Sequence, residues 1–477
     1  MKLPTRRLAS TLLLILAAAS PLCAQEPAPE TAQAAPAPDP PPFRQLRYEE
    51  DYTYLRDERR RTEPTDRLKY IPLKRAGDWY LSIGGELRLR YERFTNDAWG
   101  AAPADGGGYL LQRYLLHADV HMGGRARAFV QLQSSVEADR NGGARPVDED
   151  YLDIHQAFFD YRFDSGDDRS LTVRAGRQEM TFGSSRFVTF REGPNTRLSF
   201  DGLRLMAKAG AWQFGGFAVK PVQTDRGFFD DEPDGSRSFW GAGGTRPVRT
   251  LRGTIDVYYF GLDGKRVRFD QGTAREQRQT FGTRLAGAAA GWDYNTEIAV
   301  QLGSFGAGDI RAYTVSSDTG YTFGRAPLSP RLSLKADIAS GDGDPSDGKL
   351  GTFNALFPAA NYFGETSLLG PANFRDLHPQ VTLRLPRRIK FTADSLFFWR
   401  DSLRDGIYGP SGNLVRTGRL SDARYVGNQT SATLVWQANR HTRFFATYAH
   451  FFTGRFLRET PPGRPTDYFT AYIQFKF

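Results

Sequence analysis

The chain has 477 residues, with 49 Gly, 28 Pro, 7 Trp, 21 Tyr, 35 Phe and a single Cys. One cysteine excludes a disulfide scaffold. The mean hydropathy of −0.51 and the lack of any apolar run near ~18 residues beyond the extreme N-terminus exclude a helical membrane protein. The net charge of +9 is too small and too dispersed for a nucleic-acid binder.

The first element is an export signal over residues 1–24: Lys2, Arg6 and Arg7 precede the apolar stretch Leu8 to Ala19, and a cleavage site follows at Leu22-Cys23-Ala24. Its removal would leave a mature chain with no cysteine and 60 basic against 54 acidic residues. Residues 25–47 are rich in Ala and Pro, a composition that cannot bury a core and predicts a flexible tether. Residues 48–78, rich in Tyr, Arg, Asp and Glu and interrupted by Pro64 and Pro72, form a periplasmic lead-in.

From residue 79 to 477 the pattern has period two. Leu81, Ile83, Leu87, Leu89 and Tyr91 alternate with Ser82, Glu86, Arg88, Arg90 and Glu92. The final segment sets Phe469, Ala471, Ile473, Phe475 and Phe477 against Thr470, Tyr472, Gln474 and Lys476. The segments run about 10 to 14 residues, longer than globular strands and matched to a tilted bilayer crossing. The fold class is therefore all-β: a transmembrane antiparallel β-barrel with long extracellular loops and short periplasmic turns.

Direct reading finds 17 segments, beginning near Tyr80, Tyr109, Arg127, Leu152, Leu171, Phe200, Trp212, Thr254, Arg278, Trp292, Ile310, Arg331, Gln380, Lys390, Tyr425, Arg443 and Tyr468. An odd number conflicts with the even rule for bacterial barrels. Short turns counted from both ends collide between Pro221 and Thr254, so a strand is missing there, and Ser238 to Arg246 supplies it. The count becomes 18, with 16 as the alternative.

Ordered blocks then carry a family resemblance: Gly176-Arg-Gln-Glu179, Arg191-Glu-Gly-Pro-Asn195, Ser199-Phe-Asp-Gly202, Leu350-Gly-Thr-Phe-Asn354, Asn361-Tyr-Phe-Gly364, Leu369-Gly-Pro-Ala-Asn373, Arg424-Tyr-Val-Gly427 and His450 to Leu457. In these the chain resembles the alginate export family of outer-membrane barrels. The resemblance implies an 18-stranded channel in the bacterial outer membrane that passes an acidic polysaccharide outward through an arginine-rich constriction.

Arginine suits that task because its planar fork matches a carboxylate with two hydrogen bonds. The candidate pathway residues are Arg88, Arg90, Arg174, Arg204, Lys335, Arg384 and Arg400. Arg177 joins them from its family block, although alternation turns it outward unless Gly176 marks a bulge. The longest loop, about Ser340 to Arg375, is the expected lid. Its Gly341 to Gly348 stretch and the acidic run Asp230 to Asp234 read as solvated turns, so no metal and no cofactor are expected.

The expected partners are an anionic polysaccharide, outer-membrane lipid and lipopolysaccharide, and periplasmic proteins that deliver the polymer, around a monomeric barrel. Uptake of small acids or oligosaccharides is the alternative. No enzyme motif occurs, and His117 and His121 lie roughly 13 Å apart along one strand, too far to share a metal.

Overall fold

A computed structural model describes residues 40–477 except 75–77, 104–105 and 167. The export signal and most of the tether lie outside the described residues. The barrel begins with β1 (Trp79–Thr95), β2 (Tyr109–Met122), β3 (Ala126–Ala138), β4 (Asp150–Asp164), β5 (Arg169–Gln178) and β6 (Phe200–Ala209). It continues through β7 (Trp212–Gln223), β8 (Arg237–Val248), β9 (Gly253–Phe269), β10 (Gly272–Ala289), β11 (Trp292–Phe305) and β12 (Gly308–Thr322). It ends with β13 (Arg331–Ala339), β14 (Phe374–Leu385), β15 (Ile389–Trp399), β16 (Tyr425–Gln437), β17 (Thr442–Thr453) and β18 (Thr466–Lys476).

Each strand pairs antiparallel with the next, and β18 returns to pair with β1 from Glu86↔Lys476 to Thr95↔Asp467. The ring of eighteen is therefore closed, and no barrel strand is left as an edge. Outward positions are apolar and exposed, as at Leu116, Leu203, Leu205, Ile298, Leu332 and Leu334. The charged positions alternating with them turn inward and are buried, among them Glu86, Arg88, Arg90 and Glu92.

The strand recovered by parity is β8. Its Gly-Ala-Gly-Gly centre carries no hydrophobic rhythm, and neighbouring rings fill the space. A Cβ on Gly241 would lie 2.5 Å from the Phe260 ring, and one on Gly244 3.0 Å from Phe214. Strand β14 starts at Phe374 instead of near Gln380, because Pro379 interrupts its alternation and the β14–β15 pairing skips from Leu377 to Gln380.

One end of the barrel carries the short turns, including 123–125, 210–211, 290–291 and 386–388; the other carries the loops. The loops are not uniformly long. Two strand pairs, β9–β10 and β11–β12, meet in tight hairpins, and their strands are extended instead, to as many as 18 residues in β10. The loops 179–199, 340–373 and 400–424 fold inward over a core of Phe187, Phe217, Phe239, Phe260, Phe357 and Phe398. This end of the barrel is packed.

The N-terminal lead-in docks at the turn end. Arg47 donates to the carbonyls of Gly85 (2.9 Å) and Phe477 (2.7 Å), Lys69 donates to Ile83 (2.9 Å), and Ile71–Pro72 pairs with Tyr80 and Leu81 of β1. Tyr48 reaches further in, its ring edge-on to Phe129 and Phe158 and its hydroxyl donating to the Glu179 carbonyl at 2.9 Å. The lead-in and the barrel form one compact unit over residues 42–477.

Candidate substrate pathway

The residues of the Arg191 to Asn195 block form the innermost part of the folded-in loop. Asn195 holds it to the wall: its side-chain amide donates to the carbonyls of Gln112 (2.9 Å) and Asp148 (3.0 Å), and its backbone amide donates to the Asp148 carboxylate (2.9 Å). Arg88 donates to the carbonyls of Glu192 (3.0 Å) and Pro194 (3.1 Å), and Arg90 donates to Gly193 (2.6 Å). Two predicted pathway arginines thus grip the backbone of this loop.

Beside them lies a lattice of buried charge. Arg113 pairs with Glu86 at 2.6 Å and with Glu192 at 2.5 Å, while Arg197 pairs with Glu86 (3.4 Å), Glu179 (3.5 Å) and Glu192. Glu179 also faces His155 at 2.8 Å. Burial opposes the Glu192 carboxylate, but Arg113 and Arg197 outweigh it and hold that carboxyl well below the usual range. Satisfied charges of this kind shape the lumen and bind solute weakly.

The other predicted residues are distributed unevenly. Arg174 makes a two-pronged pair with Asp160 (2.7 and 2.8 Å), and its guanidinium lies 4.1 Å from the Tyr48 ring centre. Arg204 and Lys335 face the lumen, the latter 4.9 Å from the ring centre of Tyr362. Arg384 is exposed near the turn end, on the inward face of β14 with Asp376 and His378.

Two candidates leave the lumen. The pairing of β4 with β5 runs through Gly176 without a register shift, so there is no bulge and Arg177 keeps its outward parity. It pairs with Asp201 at 2.9 Å, on the face shared with the exposed Leu203 and Leu205. Arg400 is fully buried in the loop cap, donating to the carbonyls of Ala423 (2.7 Å), Ser421 (2.6 Å) and Leu403 (3.0 Å) over the Phe456 ring. It ties loops together because β15 has already ended at Trp399.

Among the described residues, sizeable cavities remain in the lumen and its vestibule. One of about 520 Å³ is lined by Arg90, Arg145, Arg191 and Arg197 with Glu92 and Glu365; burial pushes the Glu365 carboxyl up. A second, about 450 Å³, is lined by Arg191, Arg237, Arg266 and Arg268 with Glu276. A third, about 460 Å³, lies below them among Arg204, Lys208, Gln213, Asp256 and Glu297.

Arg191 lines both outer cavities and, unlike Arg90, Arg145 and Arg197, pairs with no carboxylate among the described residues; its Nε also lacks a hydrogen bond. Burial, with Arg237 adding to it, lowers the guanidinium to about 10, still charged at neutral pH. Sequence reasoning placed Arg191 only in a family block, and it passed over Arg113, Arg145 and Arg197. The signal for Arg191 was its place in that block, outside any strand where alternation could assign a face.

The sequence pattern of the alginate export family matches residues 79–470. The chain belongs to the alginate export family. Its barrel is similar to that of OccD3 (OpdP) of Pseudomonas aeruginosa, at 12% identity and a TM-score of 0.55 over 83% of this chain and 91% of that one. It is also similar to a BenF-like porin from Pseudomonas fluorescens Pf-5 (10%, TM-score 0.56, 83% and 98%). A third likeness is to Pseudomonas aeruginosa OpdK, crystallised with vanillate (11%, TM-score 0.53, 83% and 98%). No curated protein sequence matches the chain. This family member is an outer-membrane β-barrel channel, and family and fold alike are those of channels, not enzymes. Its turn end is periplasmic and its loop end extracellular.

Proposed function

We propose that the channel passes an anionic polysaccharide outward, a uronic-acid polymer such as alginate, with arginines of the lumen replacing part of the hydration of its carboxylates. The observation that carries this reading is Arg191: a half-buried guanidinium without a carboxylate partner among the described residues, lining two cavities whose charged side chains are mainly arginine. Arg88, Arg90, Arg174, Arg204, Lys335 and Arg384 serve the same pathway by shaping and charging its wall. Acidic neighbours such as Glu92 keep binding weak enough for release. Passive flow has no direction of its own, so outward movement depends on synthesis of the chain upstream and on its delivery through the periplasm.

A second reading is uptake of small carboxylates. The cavity volumes favour it, since about 450 to 520 Å³ suits a small ligand, and a polymer requires the folded-in loops to move.

Planar-bilayer recording under a salt gradient, with uronate oligomers of increasing length, separates the two. Export predicts anion selectivity, and long oligomers that enter from the periplasmic side and leave on the other. Small-acid uptake predicts that short oligomers pass and long ones only plug the pore. Weak selectivity indifferent to uronate would refute both.

A further inference from the structure

We propose that Asp150, Asp153 and Asp231 form a Ca²⁺ site that fastens the extracellular loop 224–236 to the outer end of β4. The acidic run Asp230 to Asp234 reads as a solvated turn in the sequence, yet the structure folds it back against that strand. Carboxylate oxygens of the three residues lie within 4.8 Å of one another.

Proximity alone would not make a site; the state of Asp150 adds the second observation. Its side chain is 0% exposed, and neither carboxylate oxygen has a hydrogen-bond partner. A buried carboxylate without a partner is costly, and two others beside it add repulsion. Gln133 on the facing strand is the neutral group that acts on Asp150, and its own amide nitrogen is unbonded.

The other two carboxylates are already oriented from behind. Asp153 accepts the backbone amides of Asp230 (2.8 Å), Asp231 (3.1 Å) and Ile154 (2.7 Å), and Asp231 accepts that of Asp225 (2.8 Å). Among the described residues Arg177 is the cation paired with this cluster, 3.7 Å from Asp153 and donating to the Asp231 carbonyl. One guanidinium does not balance three carboxylates. The missing charge is that of a divalent cation. An all-oxygen carboxylate set is the chemistry of Ca²⁺, not that of zinc or copper, and the loop faces the medium outside the cell, where weak calcium sites suffice. The site also gives Arg177, displaced from the lumen, a role in holding the rim.

The test uses the full-length barrel in detergent, free of lipopolysaccharide and stripped with chelator. Calorimetric titration with CaCl₂ should show one ion per barrel, weakened at least tenfold by Asp150→Asn or Asp231→Asn and unchanged by Asp344→Asn in another outer loop. In the wild type, Ca²⁺ should slow hydrogen exchange across residues 224–236 by at least tenfold, and neither Asn variant should respond. The exchange measurement needs only wild-type protein, so it decides the matter even where a variant fails to fold. No binding by the wild type, equal binding by the Asn variants, or exchange indifferent to Ca²⁺ would overturn the site and leave carboxylates that share protons.

Discussion

Arg191, half-buried, and Arg113, fully buried, are both lumen arginines, yet their removal should have opposite consequences. Arg191 has no carboxylate partner among the described residues. Arg191→Gln should leave the thermal transition within about 0.5 kcal/mol of wild type, while weakening uronate block in bilayers by about tenfold, as expected for the loss of a charge-assisted contact of about 1.5–3 kcal/mol. Arg113 is 0% exposed and neutralises Glu86 and Glu192. Arg113→Gln should destabilise the barrel by about 1.5–3 kcal/mol, read as a lowered denaturant midpoint, because Glu86 and Glu192 lose one of the two arginines they share. Alternation in the sequence assigns such residues to a face, and that was correct for Arg88, Arg90, Arg174 and Arg204. Alternation is silent about partners, so it could not separate a gripping arginine from a free one.

The lead-in docks at the turn end of the barrel and the loop 179–199 folds in from the other end. Lys69 in the lead-in is buried and beside Arg47, which together push its ammonium down to about 7; Arg440 adds to this, while Glu50 and Asp66 oppose it. Between pH ~7 and ~10.4 the released segment therefore binds more protons than the docked one. Docking should strengthen as pH rises through that window and stay at its weakest below it. Hydrogen exchange over residues 44–73, corrected for intrinsic rates, should show protection growing with pH, and Lys69→Met should abolish the trend. For the loop, Asn195→Ala removes the anchors to Gln112 and Asp148, a loss of about 1–3 kcal/mol. Single-channel records of that variant should show larger and more frequent openings; records identical to wild type would mean the loop is not the constriction. Composition marked the lead-in as structured but not where it docks, since docking depends on surfaces that its own residues do not specify.

For the molecule as a whole, the charge that matters is its placement. The formal excess is only +9 on 477 residues, but Arg90, Arg145, Arg191 and Arg197 converge on one cavity and Arg237, Arg266 and Arg268 on the next. Anion preference should fall between 0.1 and 1 M KCl, as the Debye length shrinks from about 10 to about 3 Å. Reversal potentials measured across that range would check this, and a preference independent of salt would point to a steric filter. The sequence by itself determined the architecture: period-two alternation, long segments and even parity are local consequences of pleat, bilayer thickness and barrel closure. The tertiary structure alone decided which loops fill the lumen, which arginines remain unpaired, and that Asp231 meets Asp150 and Asp153. Those outcomes join residues far apart in the chain, and sequence periodicity cannot encode them because it describes only a strand and its two faces.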